Sequence, residues 1–335
     1  MKSSMKMKIK KWQLLRLKSS AVEIDLSDAD FITVGKHAFG RCKRMESVVL
    51  PSTLSAIKGE AFRGCERLKH VVLPGEANTG ISSGAFSGCR RLREIENDGM
   101  VSVIGARAFE NCDTLSKFEL GRDLKRIGEK AFYGCRGLSE VRIPSTVQII
   151  GKAAFARCTE LERVSCEIGL TTLSPDMFRE CISLREIEYS VTIQDIPRGA
   201  FRSCSALREI VVPTHIQTVG KYAFYDCARA ESAVLESGVE KIGAFAFGKM
   251  PCLKEVDIPN SLQKIGFGAF GLGFSKEKIE MRVETEYMLR RMKRRLLLCG
   301  SYWRVKLVFD GKTIEERKRE KRRLTLEKTP THLID

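Results

Sequence analysis

Twelve cysteines could bind a metal, cross-link the chain or act as nucleophiles, and their spacing separates these uses. Nine of them, Cys42, Cys65, Cys89, Cys112, Cys135, Cys158, Cys181, Cys204 and Cys227, follow one another at intervals of 23 or 24 residues. A zinc site wants thiolates or imidazoles bunched in pairs a few residues apart. No Cys-x-x-Cys occurs, and His37, His70, His215 and His332 are scattered. Thiols stacked one repeat apart would lie with their side chains parallel, a poor arrangement for a disulfide. The pattern reads as a column of buried thiols, small hydrophobes with a weak donor, and no metal or cofactor is expected. Cys166, Cys252 and Cys299 lie off the column. The acids that could serve general acid–base chemistry also recur in columns rather than converging on one cleft, so no enzyme is expected. The glycines recur with the same period, and none forms a phosphate-cradling loop of its own.

What positions these residues is a repeat. Phenylalanine stands at Phe39, Phe62, Phe86, Phe109, Phe132, Phe155, Phe178, Phe201, Phe224, Phe247 and Phe270, nine intervals of 23 residues and one of 24. A fixed period in this range marks a stack of supersecondary units, none of which can bury its apolar face alone. Five residues before each Phe stands Val, Ile or Leu, from Val34 to Ile265. The residue before Phe is Ala except at Met177. Leu usually follows three residues after the Cys, as at Leu68, Leu138 and Leu161, and an alternating pair such as Val141 and Ile143 comes next. That alternation predicts a strand with one buried face. Pro144 then ends the strand, Val147 and Ile150 return to the core, and Gly151 turns the chain into a predicted short helical segment carrying Ala-Phe-x-x-Cys.

Read as Leu-x-x-hydrophobic-x-hydrophobic-Pro followed by hydrophobic-x-x-Ile-Gly-x-x-Ala-Phe-x-x-Cys, the unit resembles the BspA-like leucine-rich repeat of the Treponema pallidum type. Its clearest copies run from Leu138 to Cys158 and from Leu253 to Phe270. The resemblance implies a leucine-rich-repeat solenoid with an interaction role. Bacterial and protist relatives are often surface proteins that bind host or matrix proteins, so an adhesin-like role is one implication. The expected architecture is an α/β repeat solenoid of about eleven 23-residue units with a parallel β ladder and short helical segments. At about 4.8 Å per coil the stack would be roughly 50 Å long. Three regions follow: a basic N-terminal arm and cap over 1–30, the solenoid over 31–273, and a basic C-terminal cap and tail over 274–335.

The net charge is +16, but it belongs mainly to the ends. Residues 1–30 carry seven Lys/Arg against four acids, and residues 271–335 carry eighteen against ten. Inside the repeats the outward strand positions are acidic: of twenty such positions nine are acids and three are bases. The acids are Glu94, Glu96, Glu119, Glu140, Glu186, Glu188, Glu209, Glu255 and Asp257. Glu94, Lys117, Glu140, Arg163 and Glu186 alternate in sign as cross-strand partners would. Glu96 beside Glu119 and Glu186 beside Glu209 would place like charges together, which a docked basic protein would relieve. A protein-interaction scaffold using this face on a basic partner is therefore the first expectation.

Residues 1–20 hold seven bases and no acid, among Trp12, Leu14, Leu15 and Leu17, the composition of an arm covering the first coil. Ile9 to Leu17 is broken by Lys10, Lys11, Gln13 and Arg16, so no export signal is expected and an intracellular place, cytoplasm or nucleus, is. After Gly273 the period stops. Ile279, Val283, Tyr287, Met288, Met292 and Leu296 follow helical spacing, with Arg290, Arg291, Lys293, Arg294 and Arg295 on the other side. Tyr302 to Phe309 alternates as a strand, Asp310-Gly311 signals a turn, and a charged helix with Arg317, Lys318, Arg319, Lys321, Arg322 and Arg323 is predicted beyond it. These clusters suit a cap, a nuclear-localisation signal, or a surface for nucleic acid or anionic membrane.

Overall fold

The computed structural model describes residues 21–29, 31–73, 79–97, 99, 101–271, 278–298, 305–309 and 312–313. The chain winds into a series of flat coils, each with a main strand and a run of tight turns, and nearly all with a minor strand of two to four residues. Main strands pair in parallel with the next coil in strict period: Glu23↔Ser47, Ser47↔His70, His70↔Glu94 and Glu94↔Lys117. The minor strands form a second parallel ladder, as in Val34↔Ile57 and Ile127↔Ile150. The ladder thus begins at Glu23–Asp25, ahead of residue 31.

Eleven phenylalanines stack along the axis with ring centroids 5.0–5.8 Å apart and planes within 17° of parallel. All eleven are buried, as are the nine column cysteines and nearly all of the aliphatic column from Val34 to Ile242. From Cys65 to Cys227 each column thiol donates to the carbonyl oxygen of the previous coil's phenylalanine at 3.0–3.3 Å. The cysteines are thus more than small hydrophobes. The same carbonyls accept the amide of the cysteine in their own coil, as Phe39 O does from Cys42.

The Ala-Phe-x-x-Cys segments are not helical, which corrects the expectation from the sequence. The residues two before and two after each phenylalanine from Phe39 to Phe247 hold φ between 54 and 75°, at Lys130 and Gly134 for example. Left-handed residues placed four apart cannot continue a right-handed helix. They turn alternate amides in different directions. The amides of Lys130, Phe132 and Gly134 reach the carbonyls of Lys152, Ala154 and Ala156 in the next coil at 2.8–2.9 Å. The amides of Ala131, Tyr133 and Cys135 close tight turns within the coil. A helix would direct its amides along its own axis and none to a neighbour, whereas this segment becomes a third ladder between coils. Gly128 and Gly151 serve another need: a Cβ on Gly151 would collide with the backbone of Glu129, so glycine lets the coils close up.

After the last repeat Ile279–Val283 continues the main ladder, Glu255↔Glu280, rather than entering a helix as its spacing suggested. Its alternate burial at Ile279, Met281 and Val283 is the strand period. The Glu286–Leu298 helix follows and buries Met288, Leu289, Met292 and Leu296. Val305–Phe309 then pairs in parallel with Ile279–Val283, and Lys312–Thr313 folds back antiparallel on it, as the Asp310-Gly311 turn signal implied. No helix among the described residues is long and apolar enough to cross a membrane.

Two expectations follow. Phe132→Ala removes a fully buried ring and should cost about 3–5 kcal/mol. Hydrogen exchange should show the loss centred on neighbouring coils, because each coil contacts only its neighbours; uniform opening of the whole chain would contradict the stack. The second concerns the thiols. Burial pushes Cys181 up to about 12 and raises Cys89, Cys112, Cys135, Cys158 and Cys204 as well. An unfolded thiol ionises near pH ~8.5. Above that value the unfolded chain sheds protons that the folded chain retains. Stability should be full below it and fall as pH rises towards 12, by about 1.4 kcal/mol per pH unit for each thiol. Urea midpoints between pH 7 and 10.5 should drop steeply, and Cys112→Val with Cys135→Val should flatten the slope; equal slopes would refute the account.

Candidate functional site

Outward positions of the main strands carry the acids named above, and the structure divides them into two groups. Six have partners. Glu94 meets Lys117 at 3.3 Å, Glu96 meets His70 at 2.9 Å, and Glu140 meets Arg142 of its own strand at 2.8 Å. Glu186 lies 3.5 Å from Arg163, and Arg282 bridges Glu255 at 2.8 Å and Asp257 at 3.7 Å. The alternating pairs read from the sequence therefore form at Glu94–Lys117 and Arg163–Glu186, while Glu140 takes Arg142 instead. Glu119, Glu188 and Glu209 are exposed and have no ion-pair partner among the described residues.

These three lie beside two places where the main ladder opens. Lys117–Phe118 does not pair with Glu140–Ile143, and Glu186–Glu188 does not pair with Glu209–Val212, so the ladder falls into three sheets. Elsewhere one carbonyl receives two amides from the next coil, as Ser139 O does from Glu162 at 2.8 Å and Arg163 at 3.3 Å. Among the described residues no such bonds join Ser139 and Glu140 to Ser116, or Arg208 and Glu209 to Arg185. Glu186 and Glu209 thus stand across an opening rather than side by side, and Glu119 lies past the end of its paired strand. Strand separation thus relieves the contact of Glu186 with Glu209, whereas Glu96 and Glu119 lie on paired coils on one side of their opening, where Glu96 is held by His70.

Each opening coincides with an aromatic side chain at a strand core position. Phe118 occupies the register place of Ile95 and Val141, and its ring tilts against Phe109 at 5.0 Å and Phe132 at 5.4 Å. Tyr189 occupies the place of Val212 and meets Phe201 edge-on at 6.0 Å. A ring set across the stack is wider than a branched aliphatic side chain, and it holds the strand off its neighbour. The minor ladder is also broken, between Ile149–Ile150 and Asp195–Ile196, but at a different level of the stack. The result is two clefts on the sheet face, of about 840 Å³ at Phe118 and about 540 Å³ at Tyr189. The periodic columns hid these features; the signal was an aromatic residue in an otherwise aliphatic column.

The helix caps the stack through its apolar side, and of its basic residues Arg295 reaches the last coil while Arg290 and Arg291 make contacts within the helix. Arg290 pairs with Glu286 at 3.1 Å, Arg291 lies over the Tyr287 ring at 5.9 Å, and Arg295 donates to the Leu262 carbonyl at 3.5 Å. Burial lowers the pKa of Arg295. Arg294 is exposed and Lys293 half-buried. Residues 1–20 and the Arg317, Lys318, Arg319, Lys321, Arg322 and Arg323 cluster lie outside the described residues. His70, Glu94 and Glu96 bring one ligand atom each within 4.8 Å of one another, the geometry a divalent ion could use. Glu96 is already hydrogen-bonded to His70 and Glu94 is paired with Lys117, so both carboxylates have partners within the molecule. On the turn side, unanticipated from the sequence, Tyr222 stacks on Phe245 at 5.3 Å and Arg202 lies 5.4 Å over Tyr225.

A comparison with protein families matches the BspA type leucine rich repeat region, in six copies, over residues 18–139, 79–208 and 171–289. No curated protein matches the chain. Among solved structures, a leucine rich repeat protein from T. pallidum is similar at 31% identity, over 48% of this chain and 78% of that one, with a TM-score of 0.44. A leucine-rich repeat protein from Bacteroides ovatus is similar at 21% identity, over 84% and 88%, with a TM-score of 0.45. A leucine rich cell surface protein from Faecalibacterium prausnitzii is similar at 21% identity, over 74% and 88%, with a TM-score of 0.35. The matched repeats cover most of the chain and agree with the coil geometry: this protein belongs to the BspA-type leucine-rich-repeat family.

Proposed function

We propose that this protein is a non-catalytic interaction scaffold whose sheet face binds a basic protein partner. Repeats of this family are, as a class, protein-interaction scaffolds. The observation that carries the finer reading is the position of Glu119, Glu188 and Glu209. They are the acids of the strip that lack ion-pair partners among the described residues, and all three flank the openings in the sheet. Carboxylates already paired within the molecule would have to give up a partner to meet a ligand; these three would not. The paired acids around them extend the negative field along the face, which favours encounter with a basic surface.

Reversing Glu186, Glu188 and Glu209 to Lys in the full chain tests this. Binding to a partner captured by the wild-type protein should weaken chiefly through a slower association rate, and the difference should shrink as salt is raised, because exposed charges are screened within about 10 Å at 0.1 M. The fold should survive, since surface substitutions of this kind usually stay within about 0.5 kcal/mol each. If the variant binds unchanged at low salt, the acidic face is not the docking surface.

A further inference from the structure

We propose that the cleft at Phe118 is an anchor site for a lysine or arginine side chain carried by an extended segment of the partner. The proposal rests on the reading of the sheet face as a surface for a basic protein, and it names where and how that partner is gripped. The opening between Lys117–Phe118 and Glu140–Ile143 encloses about 840 Å³. Its apolar floor is made by Phe118, Phe132 and Val141, and its charged lining sets Glu119, Asp123, Glu140 and Glu167 against Arg122 and Arg142, four acids to two bases. Glu140 is held by Arg142 at 2.8 Å. Glu119 and Asp123 are exposed, and their carboxylates have no ion-pair partner among the described residues.

This combination of floor and rim suits one kind of side chain. A lysine or arginine has an aliphatic stem that covers apolar surface and a charged head that stays at the water boundary. Laid in the cleft, the stem would cross the Phe118 ring and the head would reach the unpaired carboxylates, while the ring face adds attraction for the cation. An acidic side chain would face like charge, and a purely apolar one would leave Glu119 and Asp123 without a counter-charge. The strand edge favours an extended segment. The amides of Ser139 and Glu140, which in other coils bond to the preceding coil, are free to meet main-chain carbonyls of an added strand. The Tyr189 cleft differs: Arg185, Arg208 and Arg229 line it together with Glu186 and Glu209, so it lacks the acidic excess.

Fluorescence anisotropy with a fluorescein-labelled peptide of alternating threonine and lysine, and with its glutamate-for-lysine counterpart, tests this on the full chain. The lysine peptide should bind and the glutamate peptide should not. Glu119→Gln with Asp123→Asn should weaken the lysine peptide at least tenfold. Phe118→Ile should let the ladder close: the Ser139 and Glu140 amides should come to exchange as slowly as those of Glu162 and Arg163, and peptide binding should fall at least tenfold. Unchanged binding in a closed Phe118→Ile variant overturns the anchor site. If that variant stays open or unfolded, the Glu119→Gln, Asp123→Asn pair decides, and unchanged binding there overturns it equally. Loss of binding in the Glu186, Glu188 and Glu209 reversal but not in the cleft variants would refute the anchor while sparing the sheet-face reading. Loss in neither would refute both.

Discussion

The stacked phenylalanine column is the constraint on which the other features depend. Its rings repeat every 5.0–5.8 Å, close to the rise of a parallel ladder, so a single residue type at one position sets the pitch for main strands, minor strands and turns together. The left-handed residues on either side of each ring hold it in place and send alternate amides to the next coil. Those conformations cost on the order of 1 kcal/mol each for residues other than glycine. The inter-coil hydrogen bonds and the buried ring offset that cost, joined from Cys65 to Cys227 by the thiol donating to a phenylalanine carbonyl. Glycine at positions such as Gly151 then allows the close approach that the pitch demands.

Because cohesion between coils is shared among three ladders and a ring column, one ladder can open without parting the coils. This is what happens at Phe118 and Tyr189. The ring stack runs on past both at 5.1 Å between Phe109 and Phe132 and at 5.6 Å between Phe178 and Phe201. The minor ladder breaks at another level, so no level of the stack loses all its bonds. An opening in a sheet exposes unpaired edge amides and makes room between strands, both of which a uniform ladder would hide. On a fold whose surface is otherwise regular, the two interruptions give the acidic face two clefts and set apart the carboxylates that lack ion-pair partners among the described residues.

Much of this was legible in the residue spacing. The period of Phe39 to Phe270, the aliphatic column and the strand alternation at Val141 and Ile143 follow directly from burial on one face, and the structure places each as expected. The turn segment was misread because Ala-Phe-x-x-Cys has helix-compatible residues; nothing at Lys130 or Arg157 announces a left-handed conformation that only the neighbouring coil makes worthwhile. Ile279 to Val283 was misread for a related reason. Its residues at four-residue spacing fit a helix, but the open end of the ladder at Glu255–Ile258 offered a strand to pair with. The acidic strip was visible as columns. Which acids are paired was not, because it depends on where the ladder opens, and that turns on Phe118 and Tyr189 standing in aliphatic columns.

The central claim, that coils stay joined through the ring column and turn ladder while the main ladder is open, is tested within a single coil by amide hydrogen exchange of the wild-type protein. In the coil after the first opening, Phe132 and Gly134 bond to the next coil, whereas Ser139 and Glu140 have no bond back to Ser116. The account expects Phe132 and Gly134 to be strongly protected, with Ser139 and Glu140 exchanging far faster than their counterparts Glu162 and Arg163. Equal protection of Ser139, Glu140, Glu162 and Arg163 would mean that the ladder is continuous in solution, and the clefts with their unpaired acids would lose their structural basis.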